Sequence, residues 1–339
     1  MKKKIWLLMV LIGLIITLIN NCKKDEKVSK KIPVITWENP ADITNETLLS
    51  ITQLNATANV DGNFVYTPDV GSRLNIGDNQ TLKVNFTPTD MATNDTVSKT
   101  VKINVIAPTV SDIDGNIYHI ITIGTQIWMA ENLKTTKYND GTTLPQVTDV
   151  TVWAALTTPA YCYFNNDVSY KTLSGALYNW YVVDSASNGS KNVCPVGWHI
   201  PSDNEWTKME NFLIANGYNY DGTTNGDRFT NNNIAKALAI RDGWMGESPA
   251  TISHGAVYSS YYPEKQNATG FSAKPAGTGL SISLPPIANI LYVMQGYWWS
   301  STAYNEGYAW YRDLYYASTG LYRDKDSKKC GYSIRCVRN

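Results

Sequence analysis

Histidine is scarce in this chain, and the motifs of common enzyme classes are missing. His119, His199 and His254 stand singly and no Cys-x-x-Cys pair occurs, so the ligand spacing of a zinc site is absent. We find no glycine-rich phosphate loop and no Ser, His and Asp set whose spacing nominates a catalytic triad. These absences argue against a zinc, nucleotide-dependent or hydrolytic enzyme, and we predict that the protein is not an enzyme.

An excess of charge of either sign is missing as well. The 29 basic side chains balance 29 acidic ones, and charged residues make up only 17% of the chain. No cluster of Lys and Arg occurs beyond residues 23–31, so the sequence predicts no surface for a phosphate backbone. We therefore do not expect nucleic acid as a partner.

The N-terminus has the pattern of an export signal. Lysines at positions 2–4 precede an almost wholly apolar run over 5–19, which is too short for a stable membrane span. The run leads to Cys22 in the sequence LINNC, which resembles the lipobox of bacterial lipoproteins, and KKDE at 23–26 resembles the sorting signal of Bacteroidota surface lipoproteins. The resemblance implies lipidation of Cys22 and a lipid-anchored, surface-exposed protein of the outer membrane. The alternative for 23–26 is a solvated linker.

Export also decides how the cysteines are interpreted. Removal of residues 1–21 would leave 26 basic against 29 acidic side chains, a net charge of −3. The four cysteines after Cys22 are even in number, which in an exported protein favours disulfides over thiol chemistry. Three connectivities are open among Cys162, Cys194, Cys330 and Cys336.

Residues 33–107 are predicted to form an all-β domain. The segments 81–86 and 101–105 alternate apolar and polar residues with a period of two, which is typical of the strands of a β-sandwich. The sequences YTPDVGSRLNIG at 66–77 and FTPTD at 86–90 resemble the bacterial immunoglobulin-like repeat of surface proteins. The resemblance implies an immunoglobulin-like sandwich that acts as a spacer.

A capped helix organises the C-terminal part of the chain. Ser202 stands three residues before Glu205, which is the spacing of a capping box. Gly217 lies where a left-handed residue would end the helix. The apolar residues Trp206, Met209, Phe212 and Leu213 follow at spacings of three and four and predict a buried stripe.

Shorter patterns surround this helix. Segments 117–124 and 126–130 predict a β-hairpin. Apolar spacing further predicts helices over 175–181 and 233–240, and strands over 297–302, 308–314 and 331–338.

Seven segments in this order resemble the Fibrobacter succinogenes major paralogous domain. They are DIDGNIY at 112–118, QIWMAENL at 126–133, GALYNW at 175–180, CPVGWHIPSDNEW at 194–206, NATGFSAKPAG at 267–277, WWSST at 298–302 and SIRCVR at 333–338. The resemblance implies an α+β domain of C-type-lectin-like fold but brings no known activity. Residues 278–297 differ from the family pattern, because an apolar stretch stands where the family has a polar loop. The predicted organisation is a signal peptide over 1–21, a linker over 22–32, an immunoglobulin-like domain over 33–107 and a lectin-like domain over 112–339.

The same resemblance implies that a disulfide holds the ends of the lectin-like domain together. On that basis we expect a Cys194–Cys336 bridge, with Cys162–Cys330 as a second bridge by elimination. A Cys330–Cys336 bridge is disfavoured, because six residues of strand span about 20 Å. The alternative for the second pair is a buried thiol at Cys162 and an exposed one at Cys330.

The candidate ligand-binding residues are aromatic and polar side chains of the C-terminal strands: Trp298, Trp299, Trp310, Arg312 and Asp313. Sugars present C–H faces that stack on Trp and Tyr, while their hydroxyls need polar partners. Adjacent Trp298 and Trp299 must point to opposite faces of a strand, so one of them belongs to the core. Packing in the core is the competing explanation for each of these aromatic residues.

No cofactor is required by the sequence. The resemblance to lectins suggests calcium as a possible ligand, and Asp313, Asp324 and Asp326 could supply oxygen atoms to bind it. The Glu-Pro-Asn and Trp-Asn-Asp sequences of sugar-binding lectins do not occur in this chain. Asp203 and Glu205 suit the start of a helix better than an acid–base pair.

We predict a cell-surface lipoprotein that binds glycan or another surface ligand. The alternatives are a structural or protein-interaction module and, third, an enzyme whose site the sequence conceals.

Overall fold

A computed structural model describes residues 29–244, 253–277 and 294–339. The chain divides into two compact units, Met1–Ile106 and Ala107–Asn339. The predicted signal sequence, Cys22 and most of the divergent 278–297 segment lie outside the described residues. In the described part of the chain, no helix is long and apolar enough to cross a membrane.

The first unit is built from β-strands. The strands are β1 Ile35–Thr36, β2 Ile43–Thr44, β3 Thr57–Ala58, β4 Gly62–Thr67, β5 Gly77–Pro88 and β6 Val97–Ile106. A four-stranded sheet has the order β2-β6-β5-β4, in which β2 runs parallel to β6, and β1 pairs separately with β3. The predicted alternation is confirmed, since Leu82, Val84 and Phe86 of β5 are all buried in the core.

The second unit combines short helices with three sheets. Its strands are β7 Thr109–Ser111, β8 Ile117–Ile123, β9 Gln126–Met129, β10 Tyr161–Cys162, β11 Leu177–Tyr178, β12 Trp198–His199, β13 Gln295–Ala303, β14 Tyr308–Tyr315, β15 Tyr322–Ser327 and β16 Val337–Arg338. They form a five-stranded sheet, β12-β16-β9-β8-β7, a three-stranded sheet, β13-β14-β15, and the pair β10-β11. The helices are α1 Val150–Ala155, α2 Tyr170–Ser174, α3 Ser185–Asn188, α4 Asp203–Ala215 and α5 Ala235–Leu238, with 3-10 turns at Phe164–Asn166, Trp180–Val182 and Pro263–Lys265.

The predicted capping box of α4 is confirmed. The Ser202 hydroxyl accepts a hydrogen bond from the Glu205 backbone N–H at 3.2 Å, and the Ser202 backbone N–H donates to the Glu205 carboxylate at 2.8 Å. Both bonds satisfy backbone donors that a helix start leaves without partners. The predicted stripe is buried except at Phe212, which lies on the more exposed side, with its ring against Gly124 of the β8–β9 turn. Gly124 has a φ of +62°, and an added Cβ there would lie 2.9 Å from that ring, so the close contact requires glycine.

Other predictions were correct only in part. The 117–130 hairpin is confirmed as β8 and β9, and the helix over 233–240 shortens to α5. The helix over 175–181 is wrong, because Gly175 has a φ of +86° and Tyr178 pairs with strand neighbours on both sides, Tyr161 and Tyr332. Strand β15 was not predicted, and only the last two residues of the 331–338 prediction, β16, form a regular strand.

The Cys194–Cys336 disulfide is confirmed. Its Cα atoms are 5.9 Å apart, within the usual range for a disulfide. The bridge joins the segment before α4 to the C-terminal segment, where β16 pairs with both β12 and β9.

The predicted Cys162–Cys330 bridge is wrong, since both residues are thiols. They pack in different places: Cys162 is buried beside Trp153 and Leu177, whereas Cys330 packs against the aromatic cluster around Tyr332. Burial raises the pKa of the Cys330 thiol to about 12, and the nearby Asp326 carboxylate adds to the effect. Cys330 is half-buried rather than exposed.

Candidate functional site

Helix α4 and the sheet β13-β14-β15 meet through a buried ionic network. Asp203, the first residue of α4, accepts hydrogen bonds from Arg312 Nη1 at 2.8 Å and from Arg323 Nε at 2.7 Å. Two turns further along α4, the Glu210 carboxylate binds Arg228 Nε at 2.6 Å and Arg312 Nε. Although burial raises it, the hydrogen bonds from Arg323 and Arg312 hold the pKa of Asp203 below its ordinary value. Every charge in this network has a partner, so the network stabilises the packing of α4 rather than offering an acid–base pair.

His199 and Glu205 are also committed to structure. The His199 ring contacts Glu205 Oε1 at 2.7 Å through Nε2 and Asn339 Oδ1 at 2.5 Å through Nδ1. Glu205 at the same time completes the capping box. These hydrogen bonds hold both side chains in place, so neither is available to transfer a proton to or from a ligand as a general acid or base would.

Both tryptophans of the WWSST segment are buried, which corrects their assignment as candidate ligand contacts. Trp298 lies on one face of β13 and donates to Asn132 Oδ1 at 2.8 Å, whereas Trp299 lies on the other face and donates to the Tyr178 carbonyl at 2.9 Å. The two rings belong to different core clusters. The sheet is therefore covered on both sides at this point, and neither ring is available for stacking on a ligand.

Of the remaining candidates, Arg312 is fully buried in the ionic network and is also not a ligand contact. Asp313 is half-buried on the opposite face of β14, and burial followed by the nearby Asp324 carboxylate raises its pKa to about 6. Asp326 accepts a hydrogen bond from the Tyr332 hydroxyl at 2.5 Å. Within the described ranges, no group of three or more His, Cys, Asp or Glu side chains is placed to hold a metal ion, so the calcium hypothesis gains no support there.

Trp310 lies at the edge of an exposed aromatic surface, which we call the Tyr308 face. It consists of Tyr304, Tyr308, Trp310, Arg323 and Lys325. Burial decreases along β14 toward its start: Arg312 is covered by α4, Trp310 is half-buried, and Tyr308 is 47% exposed.

Two cations of the Tyr308 face lie over aromatic rings. The Arg323 guanidinium is 3.2 Å from the centroid of Trp310, and Lys325 Nζ is 4.8 Å from that of Tyr304. Lys325 lies directly across from Trp310 in the β14–β15 register, so the donors belong to the same face of the sheet. The Tyr308 face thus combines exposed ring surface with hydrogen-bond donors.

A second feature is a cleft of about 240 Å³, which we call the Arg335 cleft. Its lining includes Glu131, Lys134, Leu173, Ile240, Lys274 and Arg335. Arg335 is buried at this cleft, where it donates through Nε to Asn132 Oδ1 at 2.9 Å and through Nη2 to the Ser272 carbonyl at 3.2 Å.

Sequence reasoning did not single out this cleft. Its residues come from segments more than two hundred positions apart, and no local spacing brings Asn132 and Arg335 together. The only signal was that both stand inside motifs that carry the family resemblance, QIWMAENL and SIRCVR.

A comparison with protein families identifies the family of the second unit. The model of the Fibrobacter succinogenes major domain matches residues 121–338, well over half of the chain. The chain belongs to the Fibrobacter succinogenes major domain family. Neither a curated protein nor a solved structure matches the chain.

Proposed function

We propose that this member of the Fibrobacter succinogenes major domain family is a lipid-anchored, surface-exposed protein of the outer membrane that binds glycan without catalysing a reaction. Its C-terminal domain, of C-type-lectin-like fold, carries the binding surface, and an immunoglobulin-like domain over 33–107 is the spacer. The observation behind the glycan assignment is the Tyr308 face, where exposed aromatic rings adjoin cationic donors. Aromatic rings stack on the C–H faces of sugars, and neighbouring donors bind the hydroxyls.

Tyr308 is the side chain best placed to stack on a sugar. Arg323 and Lys325 lie over the rings of Trp310 and Tyr304, which leaves Tyr308 as the exposed ring of this face without a ring or cation contact among the described residues. The same two cations hold N–H donors on the side of the sheet to which Tyr308 points. A sugar on Tyr308 would therefore have Lys325 as its nearer cationic donor, since Arg323 lies further along the sheet and donates to Asp203 through Nε and Nη2.

A glycan array probed with the full-length protein tests this function. We expect saturable binding to at least one glycan, weakened about tenfold or more by Tyr308→Ala. Tyr322→Ala is the matched control, because Tyr322 is 51% exposed but pairs with Asp313 and so lies on the opposite face of the sheet. Equal loss in both variants, or no bound glycan, would contradict the assignment.

A protein-interaction or adhesion role without sugar binding is the second candidate. Protein–protein interfaces are also enriched in Tyr, Trp and Arg, the residue types of the Tyr308 face. If the array is negative, a pull-down with host or extracellular surface proteins that depends on Tyr308 but not on Tyr322 would favour this role.

The anchor has its own test. Metabolic labelling with a fatty acid should mark the wild-type protein, and Cys22→Ser should abolish the label and release soluble protein. Cys162→Ser is the control, since it removes a cysteine far along the sequence from the lipobox. A label that survives Cys22→Ser would refute lipidation at this residue.

A further inference from the structure

Arg335 is a buried cation without an ion pair in the described structure: the acid that acts on its guanidinium, Glu131, does so only through space. The guanidinium is buried, forms no ion pair with a described residue, and its acceptors are the Asn132 side chain and the carbonyls of Phe271 and Ser272. Burial of a charge without a directly paired counter-charge is costly. The Phe271 ring, 4.0 Å from the guanidinium carbon, offsets part of this cost through a cation–π contact. Three acceptors also leave two of the five guanidinium N–H groups without a protein partner in the described ranges.

The rest of the Arg335 cleft has the same imbalance of charge. Lys134 and Lys274 line it, both half-buried, and neither forms an ion pair with a described residue. The one carboxylate in the lining, Glu131, is engaged by His119, which contacts it at 2.7 Å through Nδ1 and at 2.9 Å through its backbone N–H. Three cations thus surround the cleft against one carboxylate that already has a partner.

From this arrangement we propose that the Arg335 cleft binds a small organic carboxylate, either free or as the end group of a larger molecule. Arg is suited to a carboxylate because its planar fork can donate two parallel hydrogen bonds, and Lys134 and Lys274 add charge from the rim. Leu173 and Ile240 line the same cleft and provide apolar contact that an inorganic anion cannot use. A volume of about 240 Å³ admits a molecule smaller than a typical drug-sized ligand.

Calorimetry on the full-length protein with glucuronate and glucose tests the assignment, because the two sugars differ by a carboxylate in place of a hydroxymethyl group. We expect glucuronate to bind and glucose to bind at least tenfold more weakly. Combined Lys134→Gln and Lys274→Gln should weaken glucuronate at least tenfold, while Lys83→Gln, an exposed lysine of the first unit, should have no effect. Higher salt should also weaken binding, as expected for a partly exposed ionic contact.

Absence of glucuronate binding, equal affinity for glucose, or unchanged affinity in the double lysine variant would each overturn the proposal. Inorganic phosphate binding as tightly as glucuronate would make the cleft a general anion site and would also refute the carboxylate assignment. The lysine variants are chosen because Arg335 itself packs in the core, and their thermal unfolding should match that of the wild type. Tyr308→Ala should leave glucuronate affinity unchanged, so failure at the Tyr308 face and failure at the Arg335 cleft are distinguishable.

Discussion

Glu210 of helix α4 accepts a hydrogen bond from Arg312 Nε of strand β14, and both side chains are fully buried. Arg228 supplies a second charged partner to the same carboxylate at 2.6 Å. This contact couples the capped helix to the sheet that carries the Tyr308 face. The position of that face therefore depends on a buried ionic contact rather than on apolar packing alone.

Replacement of Glu210 by Ala should destabilise the second unit by about 3–5 kcal/mol, because it removes one of the two carboxylates that pair with the buried Arg312 charge. Chemical denaturation followed by tryptophan fluorescence measures the change. Glu306→Ala is the control: Glu306 is exposed and without an ion pair in the described structure, and it should shift stability by less than about 0.5 kcal/mol. Equal effects of the two substitutions would show that the buried contact contributes nothing specific.

The Cys194–Cys336 bridge should contribute substantially to the stability of the second unit. Its cysteines are 142 positions apart, and the chain-entropy model gives about 5 kcal/mol for a loop of that length. Combined Cys194→Ser and Cys336→Ser should therefore lower the denaturation midpoint strongly, whereas Cys330→Ser should lower it less, since no cross-link is lost.

Peptide mapping under non-reducing conditions checks the connectivity directly. We expect one linked fragment joining the Trp198 region to the Arg335 region, and alkylation of Cys162 and Cys330 only after unfolding, because both thiols are shielded in the folded protein. A fragment linking Cys162 to Cys330 would contradict the structure.

The helix cap provides a smaller and more local test. Ser202→Ala removes the hydroxyl that accepts from the Glu205 N–H, and it should cost about 1 kcal/mol of stability. Ser301→Ala is matched, since Ser301 is exposed and its hydroxyl makes no hydrogen bond to a described residue. No difference between the two variants in denaturation midpoint would refute the contribution of the cap.

Local signals explain what the sequence could predict. The capping box, the β8–β9 hairpin and the alternation in β5 each depend on residues a few positions apart. The long-range Cys194–Cys336 pairing was reached through the family resemblance and not through spacing.

Long-range packing explains what could not be predicted. Leu177, Trp180 and Tyr181 have helical spacing, yet Tyr178 pairs with Tyr161 and Tyr332, and tertiary strand pairing overrides the local pattern. Trp298 and Trp299 were correctly placed on opposite faces, but coverage of both faces depends on segments distant in the sequence. Likewise, Glu210 and Arg312 are 102 positions apart, so no periodicity relates them.

Asp313 should make the stability of the second unit depend on pH. Burial, and then the nearby Asp324 carboxylate, raise its pKa to about 6 from an ordinary value of 3.8, so the folded state binds a proton that the unfolded state releases over this range. None of the described residues donates a hydrogen bond to the Asp313 carboxylate that would favour its ionised form. A raised folded-state pKa of an acid means that stability falls as pH rises from about 4 to about 6 and stays lower above that range. The difference is on the order of 1–3 kcal/mol.

Asp313→Asn removes this penalty, so the variant should be more stable than the wild type near pH 7 and nearly equal to it near pH 4. The difference between the two proteins across pH 4–8 is the quantity to measure, because it cancels Asp203 and Glu205, whose lowered pKa values add stability that is lost as pH falls. Asp324→Asn should shift the same transition to lower pH, since it removes the second cause of the raised pKa. Asp61→Asn, at an exposed carboxylate of the first unit, should leave the profile unchanged. A difference curve for Asp313→Asn that is flat from pH 4 to pH 8 would show that this carboxylate titrates at its ordinary pKa.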